Sequence, residues 1–221
     1  MASIQDTEKL IAELNRSYDA ETSEKLISYV DMVLERNEHI NLTAVRDRDE
    51  AMQKHLADSL SIVSLPEYKR TYNVLDVGTG AGFPGALLAI TSPDKEFVLL
   101  DSTLKRLKVI DEFAEKLGIS NLSTLHARAE EISRKERYSG AFDLCVSRAV
   151  ASLDKLAGWC LPFVKTGGAF IAYKGENYQA EIDESTKALR RFGGTIDRVV
   201  PVQSDSEDIS GHVLIVIRKE L

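Results

Sequence analysis

The segment Val74-Leu-Asp-Val-Gly78-Thr-Gly80-Ala-Gly82-Phe83 constrains the fold more than any other part of the chain. An apolar run feeds directly into three glycines at alternate positions. A corner of this kind demands positive φ, or lets a ligand approach the backbone, and glycine meets both demands at little steric cost. A strand that ends this way belongs at the carboxyl edge of an open α/β sheet, where ligands bind. A glycine turn between strand and helix also has a purely structural use, so the loop alone leaves both readings open.

From Thr71 onward, strand-like runs at 72–77, 97–100, 122–126, 141–146 and 169–173 alternate with helical stretches at 85–91, 103–117, 153–164 and 178–192. That alternation predicts an α/β fold with a mostly parallel sheet and helices on both faces. Near the end it stops. Strand candidates at 195–202 and 212–218, joined by the polar loop 203–211, predict an antiparallel hairpin at the sheet edge. Before Thr71 the pattern is helical. Leu26, Ile27, Val30, Val33 and Leu34 fall on one side of a helix over 23–38, and Met52, Leu56, Leu60 and Val63 do so over 49–65, with Pro66 expected to stop the run. The expected organisation is a helical N-terminal extension, residues 1–70, on a doubly wound α/β domain, residues 71–221.

A chain of 221 residues, 43% of them hydrophobic, buries a sizeable core without disulfides or a structural metal. Its two cysteines and four histidines are widely scattered, which argues against a disulfide framework and a zinc cage; no metal is expected. No apolar run of 18 residues and no signal-like start predict a cytoplasmic protein without a membrane partner. The balance of 28 basic against 35 acidic residues opposes indiscriminate binding of nucleic acid, yet leaves room for a local basic face.

A dinucleotide fingerprint, G-x-G-x-x-G, needs glycine at position 83, where this chain has Phe83. The form G-x-G-x-G preceded by Asp76 is instead similar to the first motif of S-adenosylmethionine-dependent methyltransferases. Asp101 ends the next strand run, about twenty residues further on, where a carboxylate can accept both ribose hydroxyls. A nicotinamide enzyme would want the same acid. After the third run, Ala127-Arg-Ala129-Glu130-Glu131 offers an acid-flanked turn for an adenine amino group, or a solvated helix start.

The chain lacks two common acceptor patterns. No proline-bearing Asn/Asp turn follows the fourth strand run, which reads Asp143-Leu-Cys-Val-Ser-Arg148-Ala149. Cys145 and Cys160 read as small buried residues, not as nucleophiles. An acceptor with a free lone pair, such as guanine N7, needs no general base. Arg148 at the end of its strand could then pair with a donor carboxylate or with guanine O6 in bidentate fashion. Lys174 has the same address, and each is equally readable as a surface cation.

Taken together, these residues closely resemble the bacterial small-subunit (16S) rRNA guanine-N7 methyltransferases, also called the glucose-inhibited division protein B family. The resemblance runs through Arg36-Asn-Glu-His-Ile-Asn41-Leu-Thr43, His55-Leu-Ala-Asp58-Ser59, Leu75–Gly85, Ser147-Arg148-Ala149 and Tyr173-Lys174-Gly175. It implies a class I, Rossmann-like methyltransferase domain preceded by a helical segment, with S-adenosylmethionine as cofactor. Donor contacts are then expected from Gly78, Gly80, Phe83, Asp101, Ser102, Thr103, Ala129, Glu130 and Arg148. Asn41, His55, Asp58 and Lys174 become candidates for the acceptor side, with Arg148 and Lys174 as possible positioners and no catalytic base. The implied partner is 16S rRNA or the small ribosomal subunit, the implied state a monomer.

Three rival readings remain. A nicotinamide oxidoreductase explains Asp101 but neither Phe83 nor the terminal hairpin. A ribosome-assembly factor would bind the donor without turnover. A small-molecule methyltransferase would share the donor site and ignore rRNA.

Overall fold

The computed structural model describes residues 3–203 and 206–220. Ser204 and Asp205 of the expected polar loop, the first two residues and the last one lie outside the described residues. Seven strands form one sheet: β1 (Asn73–Val77), β2 (Glu96–Asp101), β3 (Leu122–His126), β4 (Phe142–Arg148), β5 (Val164–Lys174), β6 (Gly194–Pro201) and β7 (Val213–Lys219). Their order is β3-β2-β1-β4-β5-β7-β6. The first five run parallel, and β7 pairs antiparallel with both β5 and β6. The terminal hairpin is therefore folded inward, its second strand lying inside its first.

Side chains alternate between two apolar faces. Val74, Leu99, Leu144, Val146, Ile171 and Val216 join one core, and Leu75, Leu100, Cys145, Phe170, Ala172 and Ile215 join the other. A strand covered on both sides has no polar face, so its sequence reads as a continuous apolar run. Helices α8 (Ala129–Ile132), α9 (Leu153–Cys160) and α10 (Tyr178–Arg191) carry residues of the second core. The first core takes residues from α6 (Gly85–Thr91) and α7 (Leu104–Leu117), and also from the N-terminal helices.

Those helices begin with α1 (Ile4–Ser17), which the apolar periodicity did not single out. Ser3 caps it, and the Ser3 and Asp6 side chains each accept the other's backbone N–H in a capping box. Next comes α2 (Ala20–Asn37), which buries Leu26, Tyr29, Val30 and Val33. The expected single helix over 49–65 is replaced by α3 (Arg48–Ala51), a wide π-type turn (Met52–Ala57) and α4 (Asp58–Leu60). Widening lets Met52, Gln53, His55, Leu56, Asp58 and Ser59 all be buried, a wider arc than a regular amphipathic stripe gives. Pro66 does not stop this run. It opens α5 (Pro66–Lys69), where a missing N–H costs nothing in the first turn.

Candidate active site

Strand order reverses between β1 and β4, and the loops after these two strands meet there. A cavity of about 640 Å³ opens at this point. Its floor is Val77 to Ala81 with Phe83, one wall is Leu100 to Ser102, and a second is Ala127 to Glu130. Arg148 to Val150, Leu42 to Val45 and His55 complete it, with Arg106 and Trp159 at the rim.

The glycine loop is shaped from below by α2. The Tyr29 hydroxyl donates to the Ala81 carbonyl at 3.0 Å, and its ring meets Phe83 and Phe113 edge-on. At Gly82, with φ of +94°, a Cβ would overlap that hydroxyl. At Gly78, with φ of +74°, a Cβ would stand 2.5 Å from a methyl group of Val150. The two switch-point loops thus abut, and only a residue without a side chain lets them. Ala149, between Arg148 and Val150, itself holds φ of +54°.

Asp101 is buried at the end of β2. Its Oδ2 accepts the Gly80 N–H at 3.0 Å and its Oδ1 the Thr103 N–H at 2.8 Å, so this carboxylate braces the loop. Each oxygen keeps a lone pair for a further donor. Asp76, one strand over, is fully buried, and Oδ2 accepts from the Thr79 hydroxyl at 2.7 Å and the Gly85 N–H at 2.9 Å. Burial dominates its titration and pushes the carboxyl up to about 6, against those two hydrogen bonds.

The second feature is a polar cluster beneath the cavity. Arg148 donates to Asp58 Oδ2 at 3.1 Å, to His55 Nδ1 at 3.2 Å and to the Lys54 carbonyl. Its guanidinium also sits 5.5 Å from the Phe83 ring centroid, and the His55 ring stacks on the same phenyl at 4.6 Å. Because guanidinium only donates, His55 Nδ1 must accept. Its proton therefore sits on Nε2 and points to the Thr43 hydroxyl, 2.8 Å away. Burial, reinforced by the Arg148 charge, pushes His55 down to about 3, so the ring is neutral. Burial raises Asp58, but the His212 hydrogen bond at 3.1 Å and the Arg148 charge outweigh it and leave its pKa below the ordinary carboxylate value.

The structure brings Gly78, Gly80, Phe83, Asp101, Ser102, Ala129, Glu130, Arg148 and His55 to one cavity. Thr103 stands just behind, bonded to Asp101 as the residue before α7. Three others do not line it. Asp58 lies one layer behind Arg148. Lys174 is tied to the Ala151 carbonyl at 2.7 Å and Glu181 at 2.6 Å, holding the loop after β4 against α10. Asn41 is exposed, its Oδ1 3.5 Å from Arg46.

Asn37, inside the quoted Arg36–Thr43 motif, is a loop-positioning residue that sequence reasoning passed over. Its Oδ1 accepts the N–H groups of Leu42 and Thr43, and its amide donates to the carbonyls of Thr43 and Val45. One buried side chain thereby holds the 42–45 loop over the cavity. An asparagine ending an amphipathic helix was the available signal.

Comparisons with known proteins agree with this layout. A solved ribosomal protein L11 methylase from Lactobacillus delbrueckii superposes with a TM-score of 0.55 at 18% identity, covering 75% of this chain and 77% of that one. A putative O-methyltransferase from Klebsiella pneumoniae gives 0.59 at 15% identity, over 87% and 90%. These similarities concern the fold, which is that of the class I methyltransferases. At the sequence level, the ribosomal RNA small subunit methyltransferase G of Clostridium tetani is 40% identical over 202 residues, 91% of this chain and 84% of that protein. The protein of that name from Alkaliphilus metalliredigens is 41% identical over 207 residues, 94% and 86%. The family described as rRNA small subunit methyltransferase G (GidB) matches residues 22–209, a span holding the cavity together with Arg148, Asp58 and His55 beneath it, and the chain belongs to that family.

Proposed function

We propose that this protein transfers a methyl group from S-adenosylmethionine to N7 of a guanine in small-subunit (16S) rRNA. Membership of the family described as rRNA small subunit methyltransferase G carries the reading. The cavity supports it. Gly80 offers an approach in which even an added Cβ would meet nothing nearer than the Gly78 carbonyl at 4.0 Å. Asp101 stands beside it with lone pairs to spare, suited to ribose hydroxyls. Ala129 and Glu130 form the wall an adenine would meet. The donor supplies an electrophilic methyl group on a sulfonium, ready for in-line displacement.

In this reading the chain's residues align and exclude water; they do not move protons. Guanine N7 has a lone pair and no hydrogen, so attack needs no base. The titratable groups at the cavity accord with that: His55 is neutral with its Nδ1 occupied by Arg148, and Asp101 is engaged by two backbone N–H groups. Arg148 acts through position and charge, with Asp58 and His55 orienting it. The helical segment 1–70 serves as an extension that closes the cavity through residues 42–45 and 55, and residues 71–221 carry the donor site. No helix among the described residues is long and apolar enough to cross a membrane. We place the enzyme in the cytoplasm, as a monomer acting without a metal.

The test uses purified protein, labelled S-adenosylmethionine and small subunits from cells lacking the enzyme. Digested RNA is separated into nucleosides and weighed. Label in 7-methylguanosine is the expected result. Donor binding with no label in RNA overturns the reading in favour of a small-molecule acceptor or a factor without turnover.

A further inference from the structure

The chain is acidic overall, yet it gathers four cations around one cavity. A second cavity, about 480 Å³, opens where the segment after α8, the start of β5, the end of α10 and the end of β7 converge. Arg134, Arg190, Arg191 and Lys219 line it, and among the described residues no Asp or Glu side chain does. Several other cations stand in pairs: Arg36 with Glu112, Arg48 with Asp31, Lys174 with Glu181, Arg198 with Glu67. Among the described residues, none of the four around this cavity belongs to an ion pair.

Three of these cations converge on one residue, Phe192. The Arg134 and Arg191 guanidiniums sit 5.7 and 5.6 Å from the centroid of one ring, Phe192. That ring is seated on α9 at Gly158, where a Cβ would come within 3.1 Å of it. Lys219 donates from Nζ to the Phe192 carbonyl, and burial pulls its pKa below the ordinary lysine value. Holding like charges together without a counter-charge costs free energy, which a bound polyanion returns. One small anion satisfies one or two of these groups; successive phosphates of a nucleic-acid strand satisfy all four.

The second cavity opens at the edge of the sheet where β4, β5 and β6 begin, opposite the edge that carries the larger cavity, so an extended polymer is the ligand that reaches both. Glu130 lines the larger cavity and Arg134, four residues on, lines this one. Trp159 of α9 lines the larger cavity, and its neighbour Gly158 seats Phe192.

We propose that this second cavity is a docking site for the rRNA backbone, where Arg134, Arg190, Arg191 and Lys219 take phosphates outside the reacting nucleotide. The inference rests on the rRNA reading above and identifies the surface by which a chain of net charge -7 attracts RNA.

The test is the triple variant R134Q/R190Q/R191Q, compared with the wild type and with R134K/R190K/R191K, on small subunits at several salt concentrations. We expect KM for subunits to rise about tenfold in the Gln variant, and the slope of log KM against log salt to shrink by about 2. Donor affinity by calorimetry and kcat stay unchanged, and the Lys variant keeps most of the wild-type slope. Equal KM and slope for wild type and Gln variant overturn the docking site. Weaker binding to subunits with undiminished binding to naked 16S rRNA also overturns it, since a ribosomal protein is then the partner. If wild-type protein makes no 7-methylguanosine, the functional reading fails separately, and filter binding of 16S rRNA to the wild type and both variants still decides the docking question.

Discussion

Arg148, at the end of β4, is bonded at 3.1 Å to Asp58, which lies 90 residues earlier in the helical segment. The side chain that borders the cavity from the sheet is therefore held by the N-terminal helices. Asp58 in turn bonds His212, at the start of β7, so three distant parts of the chain converge on one carboxylate. Replacing Asp58 with asparagine leaves a nearly buried guanidinium without its counter-charge. We expect D58N to lower stability by about 3 kcal/mol. Turnover should fall more than donor affinity, since the protein's grip on Arg148 is what is lost. Urea midpoints and single-turnover rates check both. Unchanged stability would remove Asp58 from this role.

Gly78 tests the contact between the switch-point loops. G78A places a Cβ against the Val150 methyl groups at positive φ. The strain of the left-handed backbone remains whatever Val150 does, while the steric part vanishes if Val150 is shortened. G78A is therefore expected to lose about 2 kcal/mol and most donor binding, and G78A/V150A to regain about half of the stability. Strict additivity of the two changes in denaturation would show that the loops do not touch.

His55 should be silent in the pH profile. Its pKa lies near 3 because burial and the Arg148 charge disfavour imidazolium. Between pH 5.5 and 8 it remains neutral, so turnover should show no limb that H55Q abolishes. A limb near pH 6.5 that disappears in H55Q would restore histidine as an acid–base group. H55Q itself is expected to slow turnover by weakening the stack on Phe83 and the bond to Arg148.

Much of this was readable from the chain, for identifiable reasons. The inner strands β1, β4 and β7 announced themselves because both sheet faces are covered there, so each is a largely apolar run bounded by turn residues. The places of Gly78 and Asp101 at the cavity were legible because each sits at a strand end. The wide turn at Met52–Ala57 was not, since its apolar spacing fits an ordinary helix until tertiary packing selects which side chains are buried. Nor were the roles of Tyr29 and His212. Tyr29 reaches the glycine loop across 52 residues, and His212 reaches Asp58 across 154. Periodicity contains no information on such pairings. Lys174, whose strand-end address left it open between the cavity and the surface, is bound instead by Glu181 in the first turn of α10.

Asp76 gives the sharpest stability prediction. Its carboxyl is fully buried, Oδ2 takes two hydrogen bonds, and Oδ1 has no partner. Burial raises its pKa from 3.8 to about 6. A carboxyl whose folded pKa lies above its unfolded one favours folding while both states are protonated, below about pH 4. That contribution is lost as pH climbs through 6, a change of about 3 kcal/mol for a shift of this size. Other carboxylates act in the opposite sense: Arg36 and Lys116 hold Glu112 down to about 2, and Asp58 is lowered as well. Total stability therefore mixes opposing trends, and the difference between wild type and D76N isolates the one residue. That difference should move in favour of D76N between pH 4 and 7 and then level off. Urea denaturation of both proteins at pH 4.5, 6 and 8 measures it. A constant difference across that range would mean that Asp76 stays ionised throughout, and that the fold tolerates a buried charge at the root of its glycine loop.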